Sequence, residues 1–430
     1  MADSKYRVEN PEGGEQKRVA GRAGRESASF LHVPDAPHRP GDEPRFARFT
    51  QQPGDLSRPD PLAHYEQLRP HATGLVRVLN DDGQAAGPWD PKLSPAELRT
   101  ALMIMVHTRQ LDRRMLTMQR QGRLSFYLES TGEEAVAAGA GMALLPDDLL
   151  FPSYRQQGLF LARGMPLLDM MCQCIGNRSD NSKGRQMPVH YSWRKGNLVS
   201  ISSPVGTQFP QAVGAAMATA YRGESHVVAT WIGEGTTAQG DFHYALNFAS
   251  VYMPPVLMHI VNNQWAISTH RNLSTGGKSF AARADAYGMP GIRVDGNDFL
   301  AVHAVTQWAA DRARQGGGPT LIELLTYRAG AHSTSDDPSR YRPSDEGRLW
   351  PGGDPIARLA QHLVELGEWS DEKQQELEHK AERMIAQTYK QAEKVGSLAD
   401  GPHDPPETIF DDVYQNLPEH LQRQRDELGG

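Results

Sequence analysis

The sequence has only two cysteines, no long apolar run and no excess of basic charge, and each shortage excludes a class of protein. Cys172 and Cys174 lie together in an apolar segment, which excludes a disulfide framework and a zinc site built from cysteines. No apolar stretch approaches the ~20 residues that a membrane span needs. The 45 basic and 52 acidic residues leave a net charge of −7, which argues against nucleic acid or an anionic membrane as the main partner.

The N-terminal segment is rich in charge and lacks the features of a targeting sequence. It contains Asp3, Glu9, Glu12 and Glu15, whereas secretory signals and transit peptides carry few acidic side chains. We therefore expect a cytoplasmic protein of bacterial origin. Residues 1–93 contain repeated Pro-Asp, Pro-Gly and Arg-Pro pairs and predict an extended, partly irregular arm. This arm either tethers the chain or wraps a partner subunit, and the sequence leaves both alternatives open.

Two further regions follow the arm. Residues 94–345 alternate helical and strand patterns, which is typical of an α/β domain, and Ser94 is placed to cap its first helix. Within this domain, a helix rich in small residues is predicted over 212–220. Residues 346–430 return to helical spacing, with amphipathic segments predicted at 356–367 and 371–395. We expect the terminal segment to pack on a neighbouring chain.

A strand–helix–strand pattern near the middle of the chain predicts a ligand site. An apolar run at 227–232 ends in Gly-Glu-Gly, a helix is predicted over 242–252, and a second apolar run ends in Asn-Asn. Glu234 and Asn263 then meet at the carboxyl edge of a parallel sheet, where such sheets bind ligands. Their oxygens suit Mg²⁺ that also holds a diphosphate. An ordinary βαβ unit with a glycine turn is the alternative interpretation.

The Gly-Glu-Gly turn and the Asn-Asn pair resemble the thiamin diphosphate motif, in which Asp usually stands at the position of Glu234. A second resemblance, to the α subunit of the two-chain 2-oxo acid dehydrogenases, is carried by the segments GRQMPVHY, ISSPVGTQFPQAVGAA, YGMPGIRVDGND and LIELLTYRAGAHSTSDDPSRYRP. Within that group, the run AHSTSDDPSRYR resembles the branched-chain E1 component more than the pyruvate enzyme. The resemblance extends from about residue 98 to residue 417.

This resemblance implies a thiamin diphosphate-binding α/β fold, with a doubly wound, mostly parallel sheet between helices, an extended N-terminal arm and a helical C-terminal tail. It implies oxidative decarboxylation of branched-chain 2-oxo acids with thiamin diphosphate and Mg²⁺. The acyl group would pass to the lipoyl group of a separate E2 chain. Because the chain has one diphosphate module, an E1 β subunit would complete each active site in an α2β2 heterotetramer. The nearest alternative is the α subunit of a pyruvate or acetoin dehydrogenase.

The resemblance also implies roles for particular residues. His332 is expected to lie above the thiazolium ring of the cofactor and to act on the substrate, with His190 beside it. The implied contacts with the cofactor are Tyr154, Arg155, Ser203, Val205, Gly233, Glu234, Gly235, Thr236, Asn263 and His332. The implied Mg²⁺ ligands are Glu234, Asn263 and the carbonyl of Trp265. A potassium site is implied at Ser202, Pro204, Thr207 and Gln208.

Some positions depart from the pattern of the family. Val261 stands where relatives have an arginine that contacts diphosphate, so one phosphate contact is missing or comes from elsewhere. Trp265 replaces a tyrosine, which leaves a backbone carbonyl ligand unaffected. Ser153 stands where some relatives have a glutamine. Glu133 and Glu134 are interpreted as acids at a helix N-terminus, and no chemical role is assigned to them.

Two other classes of protein are alternatives. A nicotinamide oxidoreductase would carry a GxGxxG turn with an acidic residue ~20 positions later, and the sequence lacks that fingerprint. A non-catalytic scaffold of a dehydrogenase complex would not need Glu234, Asn263 and His332 together. Ser333 and Ser344 match positions that are phosphorylated in mitochondrial relatives, but the sequence does not show that a kinase exists here.

Overall fold

The computed structural model describes residues 18–20, 30–32, 34–397, 399–402 and 404–429. Within these ranges, apolar runs form the strands of the central sheet, because such side chains pack well on a pleated surface. The strands are β1 (Arg18–Ala20), β2 (Phe30–His32), β3 (Leu149–Phe151), β4 (Val228–Gly233), β5 (Val256–Asn262), β6 (Trp265–Ala266), β7 (Thr269–His270), β8 (Gly291–Asp295) and β9 (Thr320–Leu325).

The central sheet contains five strands in the order β3–β4–β5–β9–β8, and every neighbouring pair is parallel. β5 and β9 are buried along their whole length, as expected for strands covered on both faces. Gly233 pairs with Val261 and Asn262 with Leu325, so β4, β5 and β9 end at one level. The residues that follow β4 and β5 therefore emerge together at the carboxyl edge. The short strands form separate antiparallel pairs, β1 with β2 and β6 with β7.

The described ranges also contain eleven α-helices, some of which cover the two faces of this sheet. They are α1 (Arg69–Thr73), α2 (Pro95–Arg120), α3 (Glu134–Ala143), α4 (Gln157–Ala162), α5 (Leu167–Ile175), α6 (Gln208–Arg222), α7 (Gly240–Tyr252), α8 (Phe299–Arg314), α9 (Pro355–Glu365), α10 (Asp371–Val395) and α11 (Glu419–Glu427). In the part of the chain that the structure describes, no helix has the length and apolar character needed to cross a membrane.

Two hydrophobic cores lie on opposite faces of the sheet. Ala229 and Trp231 of β4 belong to the core that contains side chains of α3 and α8. Val228 and Ile232 alternate with them and belong to the core that contains side chains of α6 and α7. This alternation follows from the two-residue period of a strand. The predicted α/β class, with a parallel sheet between two layers of helices, is confirmed.

Several predicted elements are present with small differences. Ser94 caps α2 in a reciprocal arrangement: its Oγ accepts from Glu97 N at 3.3 Å, and its own N donates to Glu97 Oε2 at 2.7 Å. α10 has the predicted bounds. The helix predicted over 212–220 is longer, because α6 continues until Gly223, whose left-handed conformation ends it. The helix predicted over 356–367 ends earlier, at Glu365.

The part of the N-terminal arm around His38 and Phe46 lies against the body of its own chain. His38 Nδ1 is 2.8 Å from Glu346 Oε1, and the ring of Phe46 packs edge-on against Trp350. Most of residues 1–33 lies outside the described residues, so wrapping of a partner subunit by the arm stays a prediction. At the other end of the chain, α11 has no buried residue, and its packing on a neighbour also stays a prediction.

Candidate active site

A cavity of about 390 Å³ opens at the carboxyl edge of the sheet, beside the ends of β4 and β5. Loops before α4, before α6 and after β9 complete its walls, so residues that are distant in the sequence meet there. All the predicted cofactor contacts line this one cavity: Tyr154, Arg155, Ser203, Val205, Gly233, Glu234, Gly235, Thr236, Asn263 and His332. Their placement is as expected, whereas their contacts with a cofactor stay a prediction.

Glu234 is a buried carboxylate that fits a cation. It follows β4 and is 1% exposed, and its Oε1 has no hydrogen-bond partner. Burial raises the pKa of Glu234 to about 7, and the carboxylate of Glu133 acts in the same direction. The chain passes closely beside it, because a Cβ added at Gly235 would lie 2.4 Å from the Cβ of Ala266. A buried carboxylate oxygen without a donor is costly, so the residues present fit a divalent metal here.

The two asparagines at the end of β5 have different surroundings. Asn262 is fully buried and donates from Nδ2 to Glu323 Oε1 at 2.7 Å, which ties β5 to β9. Asn263 faces the cavity, and its Nδ2 donates to Glu133 Oε1 at 2.8 Å. Its Oδ1 accepts from the backbone N of Trp265 at 3.2 Å. Asn262 is therefore structural, and Asn263 is the asparagine available to a ligand.

The third predicted Mg²⁺ ligand, the carbonyl of Trp265, accepts a hydrogen bond from Arg328 Nη1 at 2.7 Å. A carbonyl oxygen has two lone pairs, so one remains for a metal. Among the described residues, no three Asp, Glu, His or Cys side chains are grouped so that they could hold a metal ion. A metal at this edge would have to combine Glu234 and Asn263 with backbone and ligand oxygens, which suits Mg²⁺ on a diphosphate.

Glu133 lines the cavity, although the sequence pattern suggested no role for it. It is 2% exposed, and its Oε1 lies 3.8 Å from Arg155 Nε as well as accepting from Asn263. Burial raises the pKa of Glu133 to about 7, against the opposing effect of the Arg155 charge. Glu134 instead pairs with Arg109, away from the cavity. Both acids have the spacing of a helix N-terminus, so only the fold distinguishes them.

His332 is held in place by Arg155. Arg155 Nη2 donates to His332 Nδ1 at 3.2 Å and to its carbonyl oxygen at 2.8 Å. Because a guanidinium only donates, Nδ1 is the acceptor and the imidazole proton lies on Nε2. Burial, together with the charges of Arg155 and Arg328, lowers the pKa of His332 to about 3. The ring is therefore neutral near pH 7.

His190, predicted to flank His332, lies on the same side of the cavity. The ring of Tyr154 stands between them, with centroids 6.1 Å from each. His190 Nδ1 is 3.1 Å from the carbonyl oxygen of Pro188, which can only accept, so Nδ1 carries the proton. His190 Nε2 then accepts from Ser203 Oγ at 3.1 Å. Burial lowers the pKa of His190, which keeps the ring neutral.

The residues predicted to hold potassium form a polar loop before α6, outside the lining of the cavity. Thr207 Oγ1 donates to Ser202 Oγ at 2.7 Å and is 3.1 Å from the carbonyl oxygen of Pro204. Gln208 is buried, and its Oε1 has no hydrogen-bond partner. Hydroxyl, carbonyl and amide oxygens thus occur together in this loop, and their binding of a cation stays a prediction.

The departures at Val261 and Ser153 both lie in the cavity wall. The side chain of Val261 packs in the hydrophobic core, so an apolar group occupies the position of the arginine in relatives. Within the described residues, Arg155 is the only Arg or Lys that lines the cavity. Among these lining residues, no second cation therefore compensates for the valine at position 261.

Comparison with known proteins places the chain among 2-oxo acid dehydrogenases. The family model described as "Dehydrogenase E1 component" matches residues 102–399. The chain is 50% identical over 402 residues to the 2-oxoisovalerate dehydrogenase subunit alpha of Pseudomonas aeruginosa, covering 93% of this chain and 98% of that protein. It is 38% identical over 409 residues to the mitochondrial 2-oxoisovalerate dehydrogenase subunit alpha of Homo sapiens, covering 94% and 87% of the two chains.

Proposed function

Because this chain belongs to the dehydrogenase E1 component family, we propose that it is the α subunit of the E1 component of a branched-chain 2-oxo acid dehydrogenase. The activity is that of a 3-methyl-2-oxobutanoate dehydrogenase, the oxidative decarboxylation of branched-chain 2-oxo acids. One observation carries this proposal: a single cavity brings the unpartnered Oε1 of Glu234 together with Asn263 and His332. The similarity to 2-oxoisovalerate dehydrogenase subunits supports the substrate class.

The E1 family depends on thiamin diphosphate, which supplies the carbanion chemistry that cleaves the bond to the substrate carboxylate when it is bound. In this chain Glu234, Asn263 and the Trp265 carbonyl would hold Mg²⁺ on the diphosphate. Arg155 is the cation that faces the same cavity and would pair with phosphate oxygens. Ser202, Pro204, Thr207 and Gln208 would hold potassium and so fix the loop that presents Ser203 and Val205.

His332 would act on the substrate as a neutral hydrogen-bond donor. The bond from Arg155 to Nδ1 leaves the proton on Nε2, so the ring can donate to a carboxylate or to a developing oxyanion. The same bond fixes the plane of the ring, since the Arg155 guanidinium also binds the carbonyl of His332. His190 and Ser203 would fix the adjoining wall in the same way.

The apolar part of the cavity wall favours an aliphatic substrate. It is formed by the side chains of Phe126, Leu128, Met187 and Val205. Apolar walls of this kind bind branched side chains through the hydrophobic effect, which gives ~0.8 kcal/mol for each buried methylene. The α subunit of a pyruvate or acetoin dehydrogenase is the second candidate, and a smaller substrate would gain less from these walls.

An α subunit implies a β subunit as its partner. We propose an α2β2 heterotetramer in which β supplies the groups that hold and activate the aminopyrimidine ring. The acyl product would pass to a lipoylated E2 chain.

The test compares the chain alone with the chain plus a β subunit. Decarboxylation of 2-oxoisovalerate and of pyruvate is measured with an artificial electron acceptor. We expect no turnover by the chain alone, because water would reach the exposed ring end of the cofactor. With β, 2-oxoisovalerate should be preferred. Substantial turnover by the chain alone would contradict the proposal that β completes the active site. A preference for pyruvate would contradict the substrate class.

A further inference from the structure

We infer that Glu133 is a positioning residue whose carboxylate sets the orientation of the Asn263 amide, so that the amide oxygen faces the metal. The inference rests on the proposed function, because it concerns the Mg²⁺ that Glu234 and Asn263 would hold. Glu133 lies just before α3, far in sequence from both. It reaches them because the loop before α3 borders the carboxyl edge of the sheet.

The hydrogen bonds of Asn263 explain why an orienting group is needed. An asparagine amide has nearly the same shape when it is rotated by half a turn, but only its oxygen can ligate a cation. Nδ2 donates to Glu133 Oε1 at 2.8 Å, and Oδ1 accepts from Trp265 N at 3.2 Å. The rotated amide would place acceptor against acceptor at Glu133 and donor against donor at Trp265. Both partners therefore select one orientation, and Glu133 forms the shorter bond.

The Glu133 carboxylate also connects Asn263 with His332, through Arg155. Glu133 Oε1 is 3.8 Å from Arg155 Nε, and the other end of that guanidinium binds His332. Glu133 is 2% exposed, so water cannot easily replace it as an acceptor. Outer groups that orient a metal ligand typically change metal affinity by ~10- to 100-fold when they are removed. We expect an effect of this size on Mg²⁺, and a smaller one on His332.

The experiment measures the Mg²⁺ concentration that gives half-maximal binding of thiamin diphosphate to the assembled α/β complex, by calorimetry or tryptophan fluorescence. Glu133→Ala removes the acceptor and should raise that concentration at least tenfold. Glu133→Gln keeps a side-chain oxygen at the same distance and should stay within about threefold of the unmodified complex. A shift of the same size in both variants would overturn the inference, because a group acting through its charge alone would not be rescued by glutamine.

Glu134→Ala is the matched control. Glu134 is the next residue, is 1% exposed and pairs with Arg109, but it does not line the cavity. We expect this variant to lower Tm while leaving the Mg²⁺ requirement within about twofold, because its contacts are confined to the scaffold. An equal shift in Glu134→Ala and Glu133→Ala would mean that reduced stability explains both results, and the positioning role would be wrong.

A second variant tests the orientation itself. In Glu133→Ala/Asn263→Asp both side-chain oxygens at position 263 can bind a cation, so no orienting group is needed. The Mg²⁺ requirement should return to within about threefold of the unmodified complex, and failure to recover would contradict the inference. A different result would contradict the proposed function itself. If the unmodified complex binds thiamin diphosphate without requiring Mg²⁺, the proposed metal site is wrong, whatever the variants show.

Discussion

The two ends of the cavity are constructed differently. At the acidic end, Glu234 and Asn263 follow directly after β4 and β5, and the parallel register fixes the distance between them. At the histidine end, His332 lies in the irregular chain after β9 and is oriented by hydrogen bonds from Arg155. Strand ends are positioned by the whole sheet, whereas a loop residue depends on a few side chains.

This difference predicts that the two ends fail in different ways. Substitutions at the acidic end should remove the metal and with it the cofactor, while the fold remains. Substitutions at the histidine end should leave the cofactor bound and lower turnover. Arg155 touches both ends, through Glu133 and His332, and should show an intermediate effect.

The largest effect is expected at Glu234. Glu234→Ala removes the buried oxygen that has no partner, and it should raise the Mg²⁺ concentration needed for cofactor binding by more than ~100-fold, beyond the range typical of outer groups. Calorimetry on the α/β complex measures this change. Glu234→Asp restores the carboxylate that the cofactor motif usually has, so most of the binding should return. Unchanged cofactor affinity in the alanine variant would show that Glu234 does not ligate the metal.

The next effect is expected at His332. His332→Ala should lower kcat/KM by ~10²-fold, the scale of a positioned acid–base or hydrogen-bonding group, with cofactor binding changed by less than about threefold. His332→Gln still offers an N–H towards the cavity and should recover part of the rate. Steady-state kinetics and a cofactor titration on the same preparations provide the comparison. A decrease of cofactor binding in step with the rate would remove the distinction between the two ends.

The acidic end could be predicted from the sequence because its signal is local. Two apolar strands that each end in a polar residue identify the edge of a parallel sheet, and the structure brings Glu234 and Asn263 to one cavity as expected. Glu133 could not be found in this way. Its spacing matches a helix N-terminus. Which of the two adjacent acids faces the cavity depends on how α3 packs against α8.

The histidine end could be predicted only through the family resemblance. Nothing in the composition of the loop around His332 specifies where it folds, because the loop has no period to follow. The long-range bond between Arg155 and His332, which decides the tautomer, joins positions 177 residues apart in the sequence. The bounds of α6 and α9 also differed from prediction, since the residues that end a helix are set by left-handed glycines and local hydrogen bonds.

Substitution of Arg155 should give a smaller effect at both ends. Arg155→Lys keeps a positive charge, but one ammonium group cannot reproduce the forked contacts to His332 and to the carbonyl of Glu129. We expect a decrease of about tenfold in kcat/KM and a weakening of cofactor binding by a few-fold. An effect on cofactor binding alone would indicate that Arg155 contacts the phosphate groups of the cofactor but does not orient His332.

The smallest effect concerns pH, and it tests whether His332 is neutral. Burial and two nearby arginines lower its pKa to about 3, so the ring should stay unprotonated from pH 8 down to about 5. An ordinary histidine, with a pKa of about 6.5, would gain a proton in that window, lose its bond from Arg155, and change the rate. The ratio of kcat/KM for the unmodified complex to that for His332→Gln cancels the titrations that the two complexes share. We expect this ratio to remain constant between pH 8 and about 5.5. A fall of the ratio around pH 6.5 would show that His332 titrates as an ordinary histidine, and that the histidine end is more open to water than the acidic end.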